Sequence, residues 1–295
     1  MKYFTPAHLA LLLPGLCLAP VVCAETLELD PSVITGSRSA SPSFDLPYSV
    51  DSINQEQIQD GQLGINASEV LSRVPGLVVQ NRQNYAQDLQ ISSRGFGARS
   101  AFGVRGIKLI ADGIPASTPD GQGQAATFNL DTAERIEVLR GPAATLYGSN
   151  AGGVIQMFSR DGEGPPRIGA ETLVGSDGMS KNHLTAEGAT DDVGFVLDAS
   201  RMDTDGYRDH SAARRDQTFA KLNLKPDEDS KLALIYSSLE QNGTQDPLGQ
   251  SWEAYKADPR SVTPNAITYN TRKSIDHQQL GLNYERYIGD ATLQV

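Results

Sequence analysis

Beyond residue 166 hydrophobic and polar positions alternate with a period of two. Leu184, Ala186 and Gly188 interleave with His183, Thr185 and Glu187, and Ala220, Leu222 and Leu224 with Lys221 and Asn223. Leu280, Leu282 and Tyr284 repeat the pattern against Gln279, Asn283 and Glu285. Successive side chains of a strand point to opposite faces, so each segment predicts a strand with one apolar and one polar face. About seven such strands fit between Arg167 and the last residue. A soluble antiparallel sandwich gives the same alternation. The connections separate the two readings: brief turns at 188–194, 226–230 and 289–290 against one long loop at 243–274 match a barrel with short turns at one end and longer loops at the other. Tyr236, Tyr284 and Tyr287, near strand ends, are placed for an interfacial aromatic girdle.

Upstream, from 46 to 160, the texture is mixed. The segment 50–53 reads as a strand and 54–60 as a helical turn. Val70, Leu71 and Val74 put one apolar stripe on a short helix over 67–74, ended by Pro75-Gly76. Short strands are expected at 77–80, 88–92, 107–111, 135–139 and 154–158, the last two joined through a turn at Gly141-Pro142. Short strands with two short helices predict an α+β globule.

The N-terminus changes the compartment. Lys2, an apolar run from 9 to 22 and the small-residue ending Val22-Cys23-Ala24 read as a cleaved secretory signal over 1–24. Cys17 and Cys23 both fall inside it, which excludes a disulfide framework and a cysteine metal site from the mature chain. The whole chain has 25 basic and 36 acidic residues; without Lys2 the balance is 24 against 36, a formal charge of −12. An acidic surface argues against a nucleic-acid partner, whereas a local arginine cluster still suits a small anion.

Catalytic patterns are missing. His183, His210 and His277 stand in no HExxH spacing, there is no Gly-x-Ser-x-Gly elbow, and Gly121-Gln122-Gly123 lacks the strand and third glycine of a dinucleotide loop. No cofactor or metal is expected.

The run from Glu134 to Arg160, with I-E-V-L-R-G-P, L-Y-G and G-G-V-I in order, resembles the plug of TonB-dependent outer-membrane receptors. V-P-G-L, S-R-G and A-D-G-I-P precede it in the family's order. The resemblance implies an α+β plug domain (46–162) followed by the first strands of a transmembrane antiparallel β-barrel (163–295), in the cell outer membrane. A family barrel has about 22 strands, so seven imply an N-terminal fragment. The flexible segment 25–45 then holds the TonB box, matched by Asp30, Pro31, Ser32, Val33, Ile34 and Thr35, which pairs as an added strand with TonB and its ExbB–ExbD proton-driven complex.

Loops at 81–88, 95–106 and 115–124 and the string Gly-Tyr-Arg-Asp-His-Ser at 206–211 further resemble the branch that imports pyrroloquinoline quinone, a planar tricarboxylate. Guanidinium forks suit carboxylates and aromatic rings suit a planar cargo. The resemblance therefore assigns small-molecule cargo contacts to Arg82, Tyr85, Arg99, Phe102, Arg105, Asp120, Gln122, Arg208 and His210, and plug-to-barrel contacts to Arg94, Glu137 and Arg140. Two alternatives stay open: a ferric siderophore as cargo, and a soluble periplasmic binding module.

Overall fold

The structure is a computed structural model that describes residues 33–34, 41–42, 49–100, 103–140, 146–148, 150–289 and 291–295. The signal segment 1–24, Asp30, Pro31, Ser32 and Thr35 of the TonB-box match, Phe102 and the Gly141-Pro142 turn lie outside the described residues. β1 (Val33–Ile34) pairs antiparallel with β2 (Ser41–Pro42).

An α+β unit follows, made of β3 (Ser49–Asn54), α1 (Gln55–Gln59), α2 (Ser68–Leu71), β4 (Leu77–Gln80), β5 (Gln90–Ser93), β6 (Lys108–Ala111), β7 (Ile114–Pro115), β8 (Ala133–Arg140) and β9 (Val154–Ser159). Its main sheet has the order β3-β8-β9-β6-β7, antiparallel except for the β6–β9 pair; β4 and β5 form a separate antiparallel pair. Asn54 begins α1 with a capping box, its Oδ1 accepting from Gln57 N–H at 2.9 Å while Gln57 Oε1 accepts from Asn54 N–H at 3.1 Å. Glu69 collects the amides of Gly64, Ile65 and Asn66 at 2.8, 3.0 and 2.7 Å, anchoring the entry to α2. α2 itself is shorter than the apolar stripe predicted, and the stripe continues in three-residue turns at Arg73 and Val74. Val70, Leu71 and Val74 are buried as that stripe requires, in a core with Ile58, Leu109, Phe128, Ile136 and Ile155. The β6–β7 hairpin, absent from the sequence reading, turns on Asp112 (φ 47°) and Gly113 (φ 78°), the two consecutive left-handed residues of a type I′ turn.

β10 (Arg167–Val174), β11 (Ser180–Ala189), β12 (Val193–Thr204), β13 (Ala213–Asp227), β14 (Ser230–Gln245), β15 (Arg272–Ile288) and β16 (Ala291–Gln294) form one antiparallel meander of seven strands. The strand number and the alternation are as expected. Leu197 in β12 pairs with Ala186 and Ala220, and Leu234 in β14 pairs with Leu222 and Leu282, so these apolar side chains share one face. That face is solvent-exposed here: Leu184 is 55%, Leu282 54% and Leu280 81% accessible. The opposite face carries Lys181, Asp198, Arg215, Phe219, Lys221 and Ile235, all buried against the α+β unit. The long loop is narrower than 243–274, because β14 and β15 extend to Gln245 and Arg272, and it contains α3 (Trp252–Ala257) and α4 (Pro264–Thr268). Ser251 caps α3 through Ala254 N–H, and Pro264 opens α4 at a position that needs no amide donor.

The apolar meeting point of unit and sheet is Ile114, which packs on the buried cluster of Val196, Phe219 and Ile235. Gly281 leaves room for it: a Cβ there would stand 1.9 Å from Ile114 Cδ1. Gly281→Val is expected to overpack this contact and cost about 1–3 kcal/mol. Thermal unfolding in detergent checks it, and adding Ile114→Ala should recover most of the loss.

Candidate ligand site and its seam with the sheet

The three predicted loops of the α+β unit come together at one end. Gln90 Nε2 donates to Ser100 O at 2.9 Å, and Val104 and Gly123 exchange both backbone bonds at 2.9 and 2.7 Å. Arg105, Asp120 and Gln122 form one network: Arg105 donates to Asp120 Oδ2 at 2.8 Å and to Gln122 Oε1 at 3.1 Å. The Thr118 hydroxyl and the Arg105 guanidinium together push the Asp120 carboxyl down to about 2. Asp120 thus already answers the charge of Arg105. Arg99 is exposed and makes no hydrogen bond or ion pair among the described residues. Arg82 is exposed as well and donates through one nitrogen to Gln87 Oε1 at 3.0 Å. These two arginines are the cations best placed to receive an anion.

Tyr85 is not on that surface. Its carbonyl accepts from Gln241 at 2.6 Å, burial raises its phenol, and it lines a water-sized cavity of ≈ 20 Å³ with Arg215, Gln87 and Ala126. Arg208 and His210 also depart from the implied role. The Arg208 guanidinium donates to Leu248 O at 2.7 Å, Ser261 O at 2.9 Å and Pro247 O at 3.3 Å, and His210 Nε2 lies 2.9 Å from Thr271 O. Both hold the backbone of loop 246–271. The reason is physical: loop carbonyls with no strand partner need donors, and a planar five-donor fork reaches several at once.

The residues assigned to plug-to-barrel contacts have these partners among the described residues. Arg140 bonds Asp51, Ser49 Oγ and Pro75 O, all in the α+β unit. Glu137 is fully buried and pairs with Arg135 at 2.9 Å, and Arg135 lies 4.0 Å over the Phe158 ring. Arg94 is exposed at a left-handed φ of 49° and ties the chain through its own amide to Gly76 O.

Other side chains make the seam. Lys221 Nζ reaches from β13 to Asp161 Oδ1 at 2.6 Å, Ser159 O and Oγ at 3.2 Å and Asp112 Oδ1 at 3.4 Å. Asn283 donates to Asp112 O at 2.6 Å, Arg215 to Ala126 O at 2.5 Å and Lys273 to Asp88 at 2.5 Å. Lys181 Nζ meets Asp131 Oδ1 at 2.6 Å and Leu63 O at 2.7 Å. Asp131, His183 and Asp198 place ligand atoms within 4.8 Å of one another, the spacing of a metal site. The donor set does not fit a divalent ion well: Lys181 already brings the positive charge to Asp131, Asn129 donates to Asp198 Oδ1 at 3.0 Å, and His183 bonds the other Asp198 oxygen. The group is an ion-pair clasp between unit and sheet.

The sequence reading missed Lys181, Asp198, Lys221 and Gln87. The signal for the first three was present, since they occupy the polar parity of strands whose other parity is apolar. A fully buried partner for them required knowing that a folded unit covers that face of the sheet.

The TonB-dependent Receptor Plug Domain family matches residues 42–155. The pesticin receptor of Yersinia pestis is 28% identical over 292 residues, which covers 93% of this chain and 42% of that receptor. The hemin receptor of Yersinia pestis is 30% identical over 208 residues, 66% of this chain and 29% of that one. The solved structure of the ferric citrate transporter FecA in its unliganded form aligns with a TM-score of 0.69 at 25% identity, over 83% of this chain and 38% of its own. The chain spans less than half the length of these relatives. Residues 42–155 accordingly match the TonB-dependent receptor plug domain family, and with the seven strands after them the chain has the plug and partial-barrel fold of TonB-dependent receptors.

Proposed function

We propose that this chain belongs to an active importer of the outer membrane that takes up a small acidic ligand with energy supplied through TonB. The observation that carries the reading is the pair of exposed arginines, Arg82 and Arg99, on plug loops gathered at one end, beside a sheet whose outer face is apolar. A strand with an apolar outer face and a polar inner face suits lipid outside and a filled lumen inside. The apical strings that resemble the pyrroloquinoline quinone branch favour that planar tricarboxylate as cargo. Plug 46–162 and barrel 163–295 are the working division, with the TonB box around Val33-Ile34 and ExbB–ExbD behind TonB. No covalent chemistry is required. Calorimetric titration of the purified protein in detergent tests the cargo: Arg82→Ala and Arg99→Ala should each weaken quinone binding about tenfold, the loss of one charge-assisted hydrogen bond. Unchanged affinity in both variants would remove these loops from the site.

A second cargo, a ferric siderophore or ferric citrate-type chelate, is favoured by the likeness to the ferric citrate transporter FecA. Such chelates are also anionic, so the same titration run with ferric citrate separates the two.

A further inference from the structure

We propose that Gln87 is a positioning residue that ties Arg82 of the plug to the external loop 246–271, so that the loop sets how Arg82 is presented to cargo. One carboxamide makes both links. Its Oε1 accepts from Arg82 at 3.0 Å, and its Nε2 donates to Asp246 Oδ2. A carboxylate only accepts and a guanidinium only donates, so Asp246 fixes which end of the amide faces Arg82. The amide orientation, and with it the acceptor offered to Arg82, follows from a residue of that loop rather than of the plug. Charge at both ends polarises the amide and strengthens each bond.

Both anchor points are stiff. On the plug side, Asn84 Oδ1 accepts from Ala86 and Gln87 amides at 3.1 and 2.9 Å, and Asn81 Oδ1 accepts from Gln83 N–H at 2.8 Å. On the sheet side, Asp246 sits at the neck of the loop: its amide donates to Thr271 O at 2.9 Å, its carbonyl accepts from Thr271 Oγ1 at 2.7 Å, and its Oδ1 accepts from Leu248 N–H at 3.0 Å. Arg208 then clamps Leu248 to Ser261 across the loop. The loop therefore moves with Asp246, and Asp246 is felt at Arg82 through a single side chain. The donors of Arg82 not used by Gln87 remain open to a carboxylate.

What Arg82 meets rests on the cargo reading above; the tie itself does not. Two measurements on the purified protein in detergent test them apart. Hydrogen exchange without cargo should rise about tenfold at the loop neck, near residues 246–248 and 271, in Gln87→Leu, and likewise in Asp246→Asn, for one lost charge-assisted bond. Titration with pyrroloquinoline quinone and with ferric citrate should show weaker binding of whichever probe is taken up, again about tenfold, with Gln87→Leu/Asp246→Asn no worse than either single variant. A merely structural defect would raise exchange without this non-additive loss of affinity. Unchanged exchange and affinity in Gln87→Leu would overturn the proposal. If the unaltered protein takes neither probe, the cargo reading fails, and the exchange result still decides whether the tie exists.

Discussion

Lys221→Met is expected to destabilise the assembly of plug and sheet by about 3–5 kcal/mol, the cost of leaving one member of a buried ion pair without its partner. Lys221 and Asp112 are each 7% exposed, and the ammonium is bonded to Ser159 as well as to both aspartates. After the substitution Asp161, which is 69% exposed, regains water. Asp112 does not. It keeps the Ser159 amide at 2.8 Å and hydroxyl at 2.9 Å but loses its only nearby cation among the described residues. Asp112 also forms the β6–β7 turn, which aims Ile114 at the sheet, so strain there spreads to the apolar contact. Urea unfolding in detergent gives the magnitude. Lys221→Met/Asp112→Asn should recover a large part of it, because removing both charges costs less than orphaning one. Equal losses in the single and double variants would mean that the ammonium acts through packing of its stem alone.

The seven strands were legible because their two parities differ so consistently in polarity, and the plug was legible because its motifs are themselves turn chemistry. The D-G-I-P string, for example, is a type I′ turn at Asp112-Gly113 followed by the residue that contacts the sheet. What the sequence could not show is which polar residues face each other across the seam. Arg208 was assigned to the cargo through the resemblance of the 206–211 string, and the structure shows the same fork satisfying three loop carbonyls that have no strand to bond. Arg140 lies in the most recognisable motif, but its described partners are in its own domain. Asp120, Gln122 and Arg105 bond one another, since turn residues two apart share one carboxylate within reach of the guanidinium. Long-range pairs such as Gln87 with Asp246 leave no trace in local pattern, because neither residue alone departs from an ordinary polar loop.

Lys181→Met should have a comparable neutral-pH penalty, about 3–5 kcal/mol, and one that depends on pH. Lys181 is 4% exposed and is the only lysine bonded to Asp131 among the described residues. Burial raises the Asp131 carboxyl above its ordinary range, and the Lys181 charge opposes that rise. Removing the ammonium lets the carboxyl climb further. A group whose folded pKa exceeds its unfolded value, about 3.9 for aspartate, contributes its full stability below the unfolded value and loses it as pH rises through the folded value. The variant should therefore be least stable at neutral pH and recover on acidification, as Asp131 takes a proton and ceases to be a buried unpaired charge. His183, Asp198 and Arg215 act electrostatically on the same group, and His183 titrates in every variant. Comparing Lys181→Met with Lys181→Met/Asp131→Asn at each pH, both in a His183→Gln background, removes its contribution. The difference between these two should be large at pH 8 and shrink towards pH 5. A difference that stays flat would show that Asp131 does not change its charge between pH 5 and 8 once Lys181 is gone, which would overturn the expected pH dependence.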